Sequence, residues 1–131
     1  MPLTTAPSAM IVIKKDGTGQ TGSMPQDRAQ NYLVEIVTKR QMTEKVACVK
    51  QALTQAFDGG GKSTGKYTFQ GHPVLHASSG NGQKSATLFF YDNAGTLMLF
   101  AMGEHDTSTK YKITIYGQKG TDFAQGKTIS I

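Results

Sequence analysis

The chain has 131 residues, 37% of them hydrophobic, with fourteen Lys and Arg against nine Asp and Glu for a formal net charge of +5. That length suits one domain, and the apolar content suffices for a core. It contains no apolar run long enough for a transmembrane helix, and the single cysteine, Cys48, excludes an internal disulfide and a cysteine-rich zinc site.

The basic balance favours polyanionic partners: RNA, DNA or an acidic protein. Cys48 falls in an apolar helical pattern and reads as a small core residue; a free thiol suits a reducing cytoplasm. The opening residues, MPLTTAPSAM, lack a basic region followed by an apolar run, so no secretory signal is expected there.

Ala9–Ile13 (AMIVI) is a short β-prone run that ends at the turn signal KKDGTG. Ser23 is expected to open a helix, with Pro25 in its first turn and Gln26 three residues on, in the manner of a capping box. Ala29, Tyr32, Leu33, Ile36 and Val37 then recur at helical spacing. A second helix is expected from an N-cap at Thr43, carrying Val46, Val49, Leu53, Ala56 and Phe57 on one face and ending at DGGG.

From Lys66 the period changes. Tyr67–Gln70 and Pro73–Ala77 read as extended pieces, and SSGNGQKS as a loop. Ala86–Tyr91 and Thr96–Met102 flank DNAG as a β-hairpin. The second hairpin strand is apolar on both faces, which requires helices on one side and some other cover on the opposite one. KYKITIYG alternates, with Tyr111, Ile113 and Ile115 on one face, and GKTISI closes the chain as a last strand. The expected fold is α+β: two N-terminal helices packed on a mainly antiparallel twisted sheet of four to six strands. Residues 1–22 read as an N-terminal strand and linker, and 23–131 as the domain.

Three stretches invite chemistry. DGGGKSTGK suggests a phosphate loop, but the position five before Gly61 is Ala56, and the segment leaves a helix and enters a strand, the reverse of a phosphate loop. It reads as a flexible link whose Lys62 and Lys66 can touch backbone phosphate. His72 and His76, four residues apart in GHPVLHASS, share one face if the segment is extended. With His105 and Asp106 they raise a metal site, which needs a convergence the spacing does not supply.

The third stretch is LFAMGEHDTSTKY, Leu99–Tyr111. Its apolar half reads as a buried strand end. Its polar half is either a turn after Gly103, with Asp106 and Thr107 as turn formers, or the rim of a site. RNA cleavage through the 2′-hydroxyl needs a base, an acid and donors or cations for the phosphorane charge. His105, His76, His72, Lys84 and Tyr111 are the catalytic candidates, with Glu104 as an alternative base. Lys110, Lys62 and Lys66 are candidates for holding RNA.

Two helices followed by GHPVLHASSGNGQKSATLFFYDNAGTLMLFAMGEHDTSTKY resemble the second half of RelE/ParE-type toxins, within the barnase–colicin–RelE (BECR) group of toxin ribonucleases. The resemblance runs over Thr43–Tyr111, with Gly103, His105, Asp106 and Tyr111 matching the group's last-strand ending. It implies an endoribonuclease toxin of interbacterial competition acting on tRNA or ribosome-bound mRNA without metal or cofactor. It also implies action in the cytoplasm after delivery from a larger secreted toxin, and a small antitoxin or immunity protein as partner. The hairpin departs from the group in carrying no arginine; Lys84 is the only basic residue entering it, and lysine lacks arginine's bidentate fork. The competing readings are a non-catalytic protein-binding module, such as an immunity protein, adaptor or secretion-system component, and a nucleic-acid binder without catalysis.

Overall fold

A strand apolar on both faces needs two covers. In the computed structural model, which describes residues 7–131, that strand is β5 (Thr96–His105) and it receives both. Leu97, Leu99 and Met102 enter a core shared with Ala29, Leu33, Val37, Val49 and Leu53 of the helices. Met98, Phe100 and Ala101 enter a second core made of strand residues and Phe123. The second cover is the sheet itself, curled over its own inner face.

The elements run β1 (Ala9–Val12), α1 (Gln26–Lys39), α2 (Val46–Phe57), β2 (Lys62–Phe69), β3 (His72–Ser79), β4 (Ala86–Asn93), β5, β6 (Lys110–Tyr116) and β7 (Thr128–Ser130). They form an α+β fold with two helices and one seven-stranded sheet, ordered β2-β3-β4-β5-β6-β7, with β1 beside β5. The sheet exceeds the expected four to six strands for two reasons. Residues 62–66, expected as a flexible link, are the first half of β2, where buried Thr64 donates its hydroxyl hydrogen to the Val74 carbonyl at 2.8 Å. And β1 is built into the sheet, pairing in parallel with Thr96–Leu99, while β6 takes the remaining half of the same β5 edge at Met102–His105. Met10 and Val12 consequently sit in the helix-side core. Residues 1–6 of the expected N-terminal segment lie outside the described residues.

Two irregularities re-aim side chains. Phe89 pairs with Ala101 but Phe90 with Leu99, a bulge that turns both Phe100 and Ala101 to the inner face. A second shift between the β5–β6 pairs Met102–Tyr116 and Glu104–Lys112 sends Ile115 and Tyr116 to the helix side, so Ile115 does not share a face with Tyr111 and Ile113. The β4–β5 hairpin turns on Ala94 and Gly95, both at positive φ (54° and 91°), as two-residue hairpins require.

The inner core is aromatic. Phe69 of β2 stacks on Phe100 of β5 at 4.0 Å between ring centroids, although β3 and β4 lie between their strands. Tyr67 meets Phe123 edge-on at 5.7 Å and its hydroxyl accepts from the Ser130 N–H at 3.4 Å. These contacts draw the two ends of the sheet towards each other.

The helix starts differ from expectation. α1 begins at Gln26 behind Pro25 with no side-chain cap, because Met24 pairs with Met10 in a β-bridge and Ser23 precedes it. Thr43 starts a short 3-10 turn through Lys45 instead of capping α2.

Candidate functional site

On β3, period two places Val74 and His76 inside the curl and Leu75 and Ala77 against the helices. His76 is 7% exposed, and its Nδ1 lies 3.0 Å from the carbonyl oxygen of Lys62, its register partner on β2. A carbonyl only accepts, so Nδ1 carries the hydrogen in the neutral ring, leaving Nε2 with a free lone pair. Burial pulls the His76 pKa below its ordinary value; the Lys62 carbonyl opposes this, and the charges of Lys62 and His105 reinforce it.

His105 comes from the end of β5 and Tyr111 from the start of β6, and they are register partners. Their rings stack at 4.6 Å with 12° between planes, and Tyr111 and His76 meet edge to face at 5.2 Å. Burial raises the Tyr111 phenol above its usual pKa, keeping it a neutral donor. The His105 Nε2 is shielded and has no hydrogen-bond partner. Beneath these rings the hydroxyls of Ser78 and Thr87 bond each other at 2.8 Å across β3 and β4. Lys62, His76, Ser78, His105 and Tyr111 line one cleft of about 230 Å³.

The loop behind His105 is anchored by a buried lysine. Lys45, 2% exposed, donates from Nζ to the carbonyls of Gln83 and Ser85, both at 2.8 Å, and to the Glu104 carboxylate at 3.2 Å. The Ser85 hydroxyl oxygen in turn accepts from the His105 N–H at 2.8 Å. Glu104 thus faces Lys45, away from the cleft, and is not available there as a base.

Gly103 is inside β5 rather than at its end: a Cβ there would lie 2.0 Å from the Lys112 carbonyl oxygen, so only glycine allows β6 this close. The turn follows three residues later, where the Asp106 and Thr107 N–H groups both donate to the Lys110 carbonyl at 2.9 and 3.0 Å.

Of the sequence candidates, the structure gathers His76, His105, Tyr111 and Lys62. His72 shares the inner face of β3 but stacks on Tyr91 at 4.2 Å, a run of about 13 Å along the strand from His76. Lys84 is exposed on a 3-10 turn (Gly82–Lys84) and Lys110 is exposed opposite Ser130 of β7; neither lines the cleft. Lys66 is exposed, with its ammonium 5.6 Å from the Tyr67 ring centroid. Among the described residues no three His, Cys, Asp or Glu side chains gather as metal ligands.

Sequence reasoning missed Ser78, Thr87 and Lys45. Ser78 and Thr87 follow from alternation with His76 and Phe89 once the strands are known. Nothing in Thr43-Glu44-Lys45 marks one of its two charged residues as buried. No protein-family model, no curated protein and no solved structure matches the chain.

Proposed function

We propose that the chain is a metal-independent endoribonuclease that cleaves RNA by attack of a 2′-hydroxyl on the adjacent phosphate. The observation that carries this reading is the meeting of two imidazoles on one tyrosine, His76 in a T-shaped contact and His105 stacked on its face, beside Lys62. His76, neutral at pH 7 with Nε2 unprotonated, takes the 2′-hydroxyl proton. The 2′-oxygen bonds to phosphorus, the bond to the 5′-oxygen breaks, and His105, acting as the acid through Nδ1 because its Nε2 is shielded, gives a proton to that leaving oxygen. The Lys62 ammonium and the Tyr111 hydroxyl offset the charge on the phosphorane oxygens. The products are a 2′,3′-cyclic phosphate and a free 5′-hydroxyl.

The reading extends to a toxin that acts on tRNA or ribosome-bound mRNA in the cytoplasm and is held in check by a small acidic inhibitor, as the basic charge and the resemblance to BECR ribonucleases suggest. The test is incubation of the purified chain with tRNA, and with ribosomes carrying mRNA, in EDTA, with end-group analysis of the products. Cyclic-phosphate ends, reduced at least about tenfold in rate by His76→Ala and by His105→Ala, support it. Intact RNA in both arms overturns it. The rival reading, a protein-binding module, draws on the aromatic packing around His76, which suits a structural histidine; it predicts a stoichiometric protein partner whose binding survives both variants.

A further inference from the structure

A second concavity lies on the helix-bearing side, where the turn after β1 meets the C-terminal end of α1. It holds about 270 Å³ and shares no residue with the histidine cleft. Its floor is Val12, Tyr32, Ile36 and Tyr116, and its rim is Lys14, Lys15, Lys39 and Arg40. Tyr116 is 5% exposed and its hydroxyl has no hydrogen-bond partner.

Part of the rim has a local explanation. Lys39 pairs with Glu35 at 2.6 Å, and Lys39 and Arg40 sit at the carbonyl end of α1, where cations are stabilised. Lys14 and Lys15 have no carboxylate partner among the described residues. The adjacent Asp16 is turned to the Lys119 N–H at 3.0 Å. The result is an apolar, phenol-bearing floor with cations that have no carboxylate partner among the described residues on two sides, Lys14 and Lys15 after β1 and Arg40 at the end of α1.

We propose that this pocket binds one nucleotide unit of a single-stranded nucleic acid, its base against Tyr32 and its flanking phosphates on Lys14 and Lys15 on one side and on Arg40 on the other. In a strand every base has a phosphate on both sides, which matches cations on two elements around an apolar floor. A carboxylate of an acidic peptide sits at the tip of its side chain and matches only one edge. Aromatic faces beside a basic track are how sequence-tolerant strand binders work. That the strand is RNA, held away from its scissile bond, rests on the ribonuclease reading of the histidine cleft.

The test uses fluorescence anisotropy with a labelled eight-nucleotide deoxy strand, which lacks the 2′-hydroxyl and stays uncut. Wild type and Lys50→Glu, which reverses an exposed lysine outside both concavities, bind alike. Lys14→Glu with Lys15→Glu weakens binding at least tenfold and flattens its salt dependence. Tyr32→Ala weakens it about fivefold or more, and an abasic strand binds wild type no better than the normal strand binds Tyr32→Ala. Circular dichroism establishes that the variants are folded. Absence of strand binding, equal binding of abasic and normal strands by wild type, or displacement of the strand by oligo-glutamate at lower concentration than by unlabelled strand overturns the proposal. Strand binding by a chain that leaves RNA uncut retains this pocket and removes the ribonuclease reading. Cleavage of a dinucleotide without strand binding does the reverse.

Discussion

His76 and Tyr111 lie with ring centroids 5.2 Å apart although β4 and β5 separate their strands. In a flat sheet the same strands are about 14 Å apart. The curl therefore creates the cleft, and the aromatic core beneath it holds the curl. Phe89 meets Tyr111 at 6.3 Å and Phe123 at 5.3 Å, and Phe100 meets Phe123 at 5.1 Å. Tyr111 is shared between this packing and the cleft, so its ring and its hydroxyl separate by mutation. Tyr111→Phe keeps the ring contacts and is expected to change stability by less than about 1 kcal/mol while lowering the RNA cleavage rate about tenfold or more. Tyr111→Ala is expected to cost about 3 kcal/mol or more. Urea denaturation beside a cleavage assay checks both; an unchanged rate in Tyr111→Phe removes the hydroxyl from the chemistry.

Stability is expected to fall on mild acidification because of His76. Its folded pKa is depressed chiefly by burial, against an ordinary value of 6.5. Between that depressed pKa and 6.5 the unfolded chain binds more protons than the folded one, so stability rises with pH across this window and is lost as pH falls through it. Replacing the ring by a group that does not titrate abolishes this dependence. The urea midpoint of wild type followed from pH 7.5 to 5 is expected to drop more steeply than that of His76→Gln. Parallel curves contradict the assignment.

Lys45 is expected to be a positioning residue for His105. Its ammonium ties the Gln83 and Ser85 carbonyls to Glu104, and Ser85 holds the His105 N–H. Lys45→Met keeps most of the apolar stem but strands two carbonyls and a half-buried carboxylate, an expected cost of about 2–4 kcal/mol. Adding Glu104→Gln removes the stranded charge and is expected to restore part of that loss. Under conditions where Lys45→Met is folded, its cleavage rate is expected to fall with KM nearly unchanged. A shift in KM alone argues that the lysine has only a structural role.

The legible parts of this molecule are those with local periodicity. The apolar repeats of α1 and α2, the Ala94-Gly95 hairpin and the two-faced burial of β5 are all written in short windows, and the structure has each of them. The start of α1 misleads because Ser23 and Gln26 mimic a capping box while the β-bridge between Met10 and Met24 claims the residues before Pro25. Lys62–Lys66 resembles a link because glycines flank it, but long-range pairing with β3 makes it a strand. The site divides the same way. His76, His105 and Tyr111 are visible as chemistry-bearing residues, but their meeting depends on curvature that no local pattern encodes. His72 has an equal claim by spacing, and the length of β3 separates it from the cleft. Lys45 is invisible in sequence because its burial depends on carbonyls some forty residues away.

Gly103 tests whether the close approach of β5 and β6 underlies the cleft. A methyl group there meets the Lys112 carbonyl oxygen at 2.0 Å and the Ile113 Cα at 2.9 Å, both backbone atoms that cannot rotate aside. β6 must move outwards to admit it, and β6 carries Tyr111 just before those residues. Gly103→Ala is therefore expected to cost about 3 kcal/mol or more, well beyond the loss of glycine's flexibility. Gly22, where a Cβ would meet nothing within 4 Å and φ is not positive, is the matched control; Gly22→Ala is expected to be neutral or stabilising by up to about 1 kcal/mol. If folded Gly103→Ala is recovered at low temperature, the separation of the His105 and Tyr111 rings changes, and the cross-relaxation between their ring protons in NMR weakens. Equal stability of the two variants means that β6 yields without consequence, and that the His105–Tyr111 contact does not depend on the glycine.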